Sequence, residues 1–257
     1  MTGAEKFTAF RTIVTKEFLR FIRIWVQTIL PPVITTALYF IIFGNLIGSQ
    51  IGDMEGFRYM DYIVPGLIMM AVITNSYGNV VSSFYGSKFQ RNIEEMLVSP
   101  VPNYIILSGY VAGGVARGIV VGIAVTTVSM FFSDLQFYNI WVLLSVFILT
   151  SILFSLAGFI NAVYANSFDD ISIVPTFVLT PLTYLGGIFY SISLLPEFWQ
   201  KASLANPILY MVNAFRYGFL GISDISLATS YTIILAFVIA LYFYSMHLLE
   251  KGKGIRT

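Results

Sequence analysis

The chain has no cysteine and a single histidine, His247. That removes disulfide frameworks, thiolate or multi-histidine metal sites and cysteine nucleophiles from consideration, although absent cysteines say nothing about redox compartment. Charge is also scarce. Only 11% of the 257 residues are charged, and 14 basic against 13 acidic side chains leave a formal charge of +1. Without a basic excess there is nothing to neutralise nucleic-acid phosphates, so no nucleic-acid partner is expected. A Gly-x4-Gly-Lys-[Ser/Thr] phosphate loop is missing, so the chain does not bind ATP in that manner itself. A Gly-x-Ser-x-Gly elbow is missing too, and His247 at the end of an apolar run reads as an interfacial residue rather than a catalytic base.

What the chain does have is apolar length. It is 57% hydrophobic with a mean hydropathy of +0.82, far from the composition of a soluble domain. A bilayer core about 30 Å thick needs about 20 mostly apolar residues per helix, and six runs qualify: 29–47, 63–84, 110–132, 140–163, 171–189 and 231–247. The first is preceded by Lys6, Arg11, Lys16, Arg20 and Arg23 with no small-residue cleavage site, so it reads as a span and not a cleaved signal. Those residues, with Lys88, Arg91, Lys251, Lys253 and Arg256, place the N-terminal segment, the second-to-third loop and the C-terminal tail on the cytoplasmic side. Only Arg58, Lys201 and Arg216 lie in the opposite loops. Both termini are therefore expected to be cytoplasmic. The segment 190–230 carries an N-cap at Asn206, Pro207 at the first helical position and a stop at Gly221. Its helix, about 20 Å long, is too short to cross, so the segment is expected to form an external helical hairpin dipping part-way into the membrane.

Three segments carry more specific physics. In residues 1–25, Phe7, Phe10, Val14, Phe18, Phe21 and Trp25 recur at helical spacing opposite Lys16, Arg20 and Arg23, which describes an interfacial amphipathic helix or a plain positive anchor. In the loop 86–102, Ser87 and Gln90 have capping-box spacing; Phe89, Ile93, Met96 and Leu97 form an apolar ridge; Pro100 and Pro102 end the helix. This helix either tidies a loop on the membrane surface or docks its ridge into a partner's groove, and in the second case Leu97→Asp should abolish docking with the fold intact. The third run holds Gly109, Gly113, Gly114, Gly118 and Gly122, two small-xxx-small series suited to close helix approach. It also holds Arg117, a full charge inside a span, for which bonding to helix-end carbonyls or to Asp169 or Asp170 outweighs substrate contact. No carboxylate sits in the middle of any run, which disfavours proton- or sodium-coupled transport.

The stretch Arg91-Asn92-Ile93-Glu94-Glu95-Met96-Leu97-Val98-Ser99-Pro100 resembles the cytoplasmic coupling segment of ABC-2 type transporter permeases. Further matches follow in order: Pro181-Leu182-Thr183-Tyr184-Leu185-Gly186-Gly187-Ile188-Phe189-Tyr190, then Asn206-Pro207-Ile208-Leu209-Tyr210 with Phe215-Arg216-Tyr217-Gly218. The run Arg23-Ile24-Trp25-Val26-Gln27, Pro31-Pro32 and Phe43-Gly44-Asn45-Leu46-Ile47-Gly48 is most similar to short inner-membrane members of that family. The resemblance implies an all-α integral membrane fold: one transmembrane domain over 1–257 with six spans, an interfacial helix at 1–25, a coupling helix at 86–97 and an external hairpin at 190–230. It implies a homodimer in the bacterial inner membrane, in contact with lipid, that pairs with two copies of an ABC ATPase subunit. ATP and magnesium would lie on that partner, with no cofactor and no enzymatic activity in this chain, and the cargo would be an amphipathic molecule or a polysaccharide. Phe89, Arg91, Ile93, Glu94, Glu95, Met96, Leu97 and Pro100 would make the ATPase contact. Met69, Asn75, Tyr77, Thr176, Phe177, Thr180 and Tyr184 would line the pathway near the dimer axis. A non-transporting scaffold or sensor that holds a partner through the same docking helix is the alternative.

Overall fold

The computed structural model describes residues 1–252 and Gly254, without the side chains of Asn45, Leu46 and Ser49. Lys253 and Arg256 of the charge count therefore lie outside the described residues, and so do the side chains of Asn45 and Leu46 in the run ending at Gly48.

Helix α1 (Gly3–Arg23) opens with a capping box that satisfies two of its orphan donors: Glu5 N–H donates to Thr2 Oγ1 and Thr2 N–H to Glu5 Oε2. It stops at Ile24. The Thr28 hydroxyl, on the short α2 (Trp25–Thr28), donates to the Phe21 carbonyl left open by the break. Pro31 and Pro32 start α3 (Leu30–Tyr39), where missing N–H groups cost nothing, and a π-helical segment (Phe40–Ile47) continues into α4 (Gly48–Ile51). An antiparallel pair, β1 (Asp53–Met54) and β2 (Phe57–Arg58), turns through Glu55 (φ 53°) and Gly56 (φ 82°), the doubly positive pair that a tight two-residue hairpin requires.

Helix α5 (Tyr59–Phe89) is the axis of the molecule. Its 31 residues make a rod about 46 Å long, buried over most of its length by α7 (Asn103–Ser129), α8 (Ile140–Tyr164) and α12 (Pro207–Leu220). The two glycine series of α7 serve three neighbours. Gly109 and Gly113 receive Ile13 and Glu17 of α1, while Gly114, Gly118 and Gly122 receive side chains of α5 and α8, among them Ser76, Ser155 and Phe147. On α8, Gly158 lies against the backbone of Tyr77 on α5. Outward faces remain apolar, as at Ile34 and Leu38 on α3, Trp141 and Leu144 on α8, and Phe243 on α13 (Leu227–Lys251).

Among the described residues, five helical stretches are long and apolar enough to cross a bilayer: Trp25–Gly44, Tyr59–Phe89, Asn103–Ser129, Ile140–Tyr164 and Leu227–Lys251. The run 171–189 is not an uninterrupted helix. It divides into α9 (Asp170–Val174), a π-helical turn (Pro175–Leu179) and α10 (Thr180–Tyr184), and it leaves helical geometry five residues before Phe189. Pro175 and Pro181 supply no N–H to the ladder, and the Pro175 carbonyl accepts from both the backbone N–H and the hydroxyl of Thr180.

Beyond Gly187 (φ 71°) the chain forms α11 (Glu197–Leu204) and α12. Asn206 Oδ1 accepts from Ile208 N–H and Gly221 closes α12 in the left-handed conformation, matching the cap and stop expected from the sequence.

Candidate functional site: the coupling end and the polar seam

At the end of α5 the expected coupling helix is built differently from its sequence pattern. Ser87 is no N-cap. It lies inside α5, and its Oγ accepts from the Tyr110 hydroxyl at 2.9 Å. The helix breaks at Arg91, which takes a left-handed conformation (φ 63°), and restarts as α6 (Asn92–Val98), so the segment 86–97 is the last turn of one helix followed by another. Apart from Phe89, the apolar ridge faces inward. Ile93 is fully buried and Met96 and Leu97 pack half-buried on the chain's own core, so Leu97→Asp attacks the fold rather than a free docking face. Glu94 is half-buried. The outward residues are Phe89 (65% exposed), Arg91, Glu95, Val98 (83% exposed) and Pro100.

This end is tied to the α8–α9 connection. Lys88 Nζ donates to the Val163 and Ala165 carbonyls at 2.8 and 2.7 Å, where a cation suits the orphan acceptors of a helix C-terminus. The rings of Tyr85 and Phe89 meet that of Phe168 at 4.9 and 5.2 Å. Asp170 accepts from the Asn166 and Ser167 N–H groups. Arg117 reaches neither Asp169 nor Asp170. Lys88 performs the carbonyl-bonding role expected of Arg117, whose Nη2 instead donates to Asn75 Oδ1 at 2.9 Å.

A polar seam joins α1 to α5. Glu17 is fully buried and its Oε1 accepts from the Ser83 hydroxyl at 2.6 Å. Arg20 Nη2 donates to both the carbonyl and the Oδ1 of Asn79 at 2.8 Å, and Arg20 Nε stands 3.5 Å from Glu17 Oε2. Of the apolar face expected from periodicity, Phe7, Phe18 and Trp25 are exposed and Phe21 is buried; the stripe that packs on the protein is Ile13–Glu17–Phe21. The signal available was Glu17 falling between Ile13 and Phe21 at spacings of four. Glu17→Gln keeps the volume but loses a charge-assisted bond and the Arg20 countercharge. It should weaken the attachment of α1 by about 1.5–3 kcal/mol. Faster amide exchange confined to α1 is the expected readout, and exchange identical to the parent chain would contradict it.

The seven residues expected to line a pathway divide into two groups. Met69, Asn75 and Tyr77 are buried inside the bundle, whereas Thr176, Phe177, Thr180 and Tyr184 are exposed. Tyr184 shares a hydroxyl contact of 3.1 Å with Tyr39 of α3, and both rings lie against Phe189. The outward stripe of α5 is instead Met70, Thr74, Gly78 and Ser82. Asn75 comes together with Arg117 at a cleft of about 310 Å³ between α3 and α5.

At the far end of α5, Arg216 is not the exposed loop charge of the orientation count. It is 1% exposed, donates to the Gly187 carbonyl and lies 4.0 Å from the centre of the Tyr62 ring. An arginine inside the otherwise apolar Pro207–Leu220 helix was the sequence signal for this burial. On the neighbouring surface Arg58 bridges Asp61 and Asp134 at 2.9 and 3.0 Å.

Long helices with apolar outward faces around an apolar core that also buries polar pairs define a multi-pass membrane protein. The family model for the ABC-2 type transporter matches residues 8–220. The chain is 61% identical over 250 residues to the inner membrane transport permease YadH of Escherichia coli (strain K12), an alignment covering 97% of each protein. It is 23% identical over 217 residues to Nodulation protein J of Sinorhizobium fredii, covering 84% of this chain and 82% of that protein. Nodulation protein J of Rhizobium leguminosarum bv. trifolii is 22% identical over 215 residues, covering 83% and 82%. The chain belongs to the ABC-2 type transporter family.

Proposed function

We propose that this chain is the membrane-spanning subunit of an ATP-driven exporter. It would work as a homodimer with two copies of an ABC ATPase, with ATP and magnesium held on that partner. The cargo would be an amphipathic molecule or a polysaccharide. The observation that carries the reading is mechanical: α6 and the exposed Phe89 hang on the end of α5, the buried rod against which α7, α8 and α12 pack. A force applied at α6 therefore reaches the whole bundle, whereas a helix resting on a loose loop would dissipate it.

In this reading the broken 170–184 segment and the turns after it form a sixth crossing, both termini are cytoplasmic, and 190–230 lies outside. The charge distribution supports that orientation, and the printed name of the YadH relative supports the bacterial inner membrane. The ATPase contact would use Phe89, Arg91, Glu95, Val98 and Pro100, with Ile93, Met96 and Leu97 holding the helix in place from behind. Phe7 and Phe18 of α1 and Trp25 of α2 would meet lipid.

The absence of native cysteines allows a direct test. Single cysteines at Ser193 and Asn92, both exposed, should behave oppositely toward an impermeant maleimide: Ser193→Cys labelled in intact cells, Asn92→Cys only in inverted vesicles. Adding the ATPase should then protect Asn92→Cys. Labelling of Asn92→Cys in intact cells, or labelling unchanged by the ATPase, would overturn the reading.

A further inference from the structure

The cleft between α3 and α5 holds a cation for which the fold supplies no countercharge. Arg117, at the midpoint of α7, reaches its floor, and the lining includes Pro32, Met70, Gln27, Thr35 and Thr74. Arg117 Nη2 bonds the neutral amide of Asn75, its Nε is buried without a hydrogen-bond partner, and it forms no ion pair among the described residues. One turn further along α5 the same geometry recurs with Arg20 on Asn79, but there Glu17 stands 3.5 Å away. The fold thus neutralises one of two matched arginines and leaves the other bare. A glutamine could make the Asn75 bond without the cost of a charge inside the membrane. The charge of Arg117 is what the chain itself does not use.

The surroundings fit a ligand with two ends. Hydroxyl and amide groups beside the guanidinium can share an anionic group, while the apolar wall continues onto the exposed Leu30, Ile34 and Leu38 of α3. A volume of about 310 Å³ admits a headgroup and the start of a chain but not a whole lipid. We propose that this cleft binds the anionic headgroup of an amphiphile, with the headgroup on Arg117 and the tail leaving along α3 into the bilayer. Such a ligand is either a resident phospholipid or a molecule being moved, and the recognition chemistry is the same for both.

The test uses the full chain alone, so it succeeds or fails independently of the exporter reading. In phosphatidylcholine nanodiscs containing a minor fraction of phosphatidylglycerol, native mass spectrometry should show phosphatidylglycerol retained about tenfold above its input share, as one charge-assisted contact predicts. Arg117→Gln should bring retention down to the input share, and Arg117→Lys should keep part of the preference. Thr35→Trp fills the cleft from its exposed rim without touching the Arg117–Asn75 bond, and it should abolish retention even if Arg117→Gln fails to fold. No preference in the parent chain, or an undiminished preference in Thr35→Trp, would overturn the site. With the ATPase added, ATP-dependent loss of the bound phosphatidylglycerol identifies it as cargo and its persistence identifies it as a resident lipid; either result supports the site.

Discussion

Gly158→Val should melt at a far lower temperature than the parent protein in detergent, with a loss of at least about 3 kcal/mol. A Cβ at Gly158 would lie 2.5 Å from the Tyr77 carbonyl oxygen and 3.3 Å from the Tyr77 Cα. These are backbone atoms of α5, so no rotamer change relieves the clash, and the two helices that form the centre of the bundle would have to separate. Gly78→Ala, on the outward stripe of α5, meets nothing within 4 Å. It should instead gain up to about 1 kcal/mol from helix propensity. A Gly158→Val protein melting with the parent would show that the α5–α8 contact does not limit stability. Intrinsic fluorescence during heating is enough to measure both variants.

The same packing explains what could and could not be read from the sequence. Helix α8 was legible almost to the residue because a long apolar run between Asn139 and the polar Asn166 has few alternatives. The Pro207–Leu220 helix was legible because its cap and stop are local chemistry. The interior face of α1 was not. In water an apolar stripe points to the protein, but at a bilayer the lipid is as apolar as any core, so no hydrophobic force selects that face. Here Glu17 and Arg20 point inward onto Ser83 and Asn79 because buried polar groups need partners. For Arg216 the sequence signals a charge within an apolar helix but not its partners, the Gly187 carbonyl and the Tyr62 ring, both far away in the chain. The break at Arg91 was masked by a misleading local signal, since the Ser87–Gln90 spacing suits a cap only when the preceding helix ends first. The family resemblance points to residues 86–97 as the coupling segment. It could not say which side of α6 looks outward.

That orientation leads to opposite outcomes for two adjacent residues. Val98→Asp should abolish copurification with the ATPase while the melting temperature of the permease stays unchanged. Val98 is 83% exposed, so in the isolated permease a carboxylate there remains hydrated and costs little. Once a partner covers it, the same charge must be desolvated without a counter-ion, a penalty of about 3 kcal/mol or more and a loss of affinity above a hundredfold. Leu97→Asp should reverse the pattern. Leu97 packs against the chain's own core, so its replacement lowers stability and yield, and whatever protein survives should bind the ATPase nearly as well as the parent does. Phe89→Asp should follow Val98→Asp, because Phe89 is 65% exposed at the same end of α5, although some stability should go with its ring contact to Phe168. The deciding measurement is a pull-down of the ATPase on each variant beside its detergent melting curve. If Val98→Asp copurifies normally and Leu97→Asp is stable but does not bind, the ridge faces the partner after all, and α6 must rotate about Arg91 when the ATPase docks.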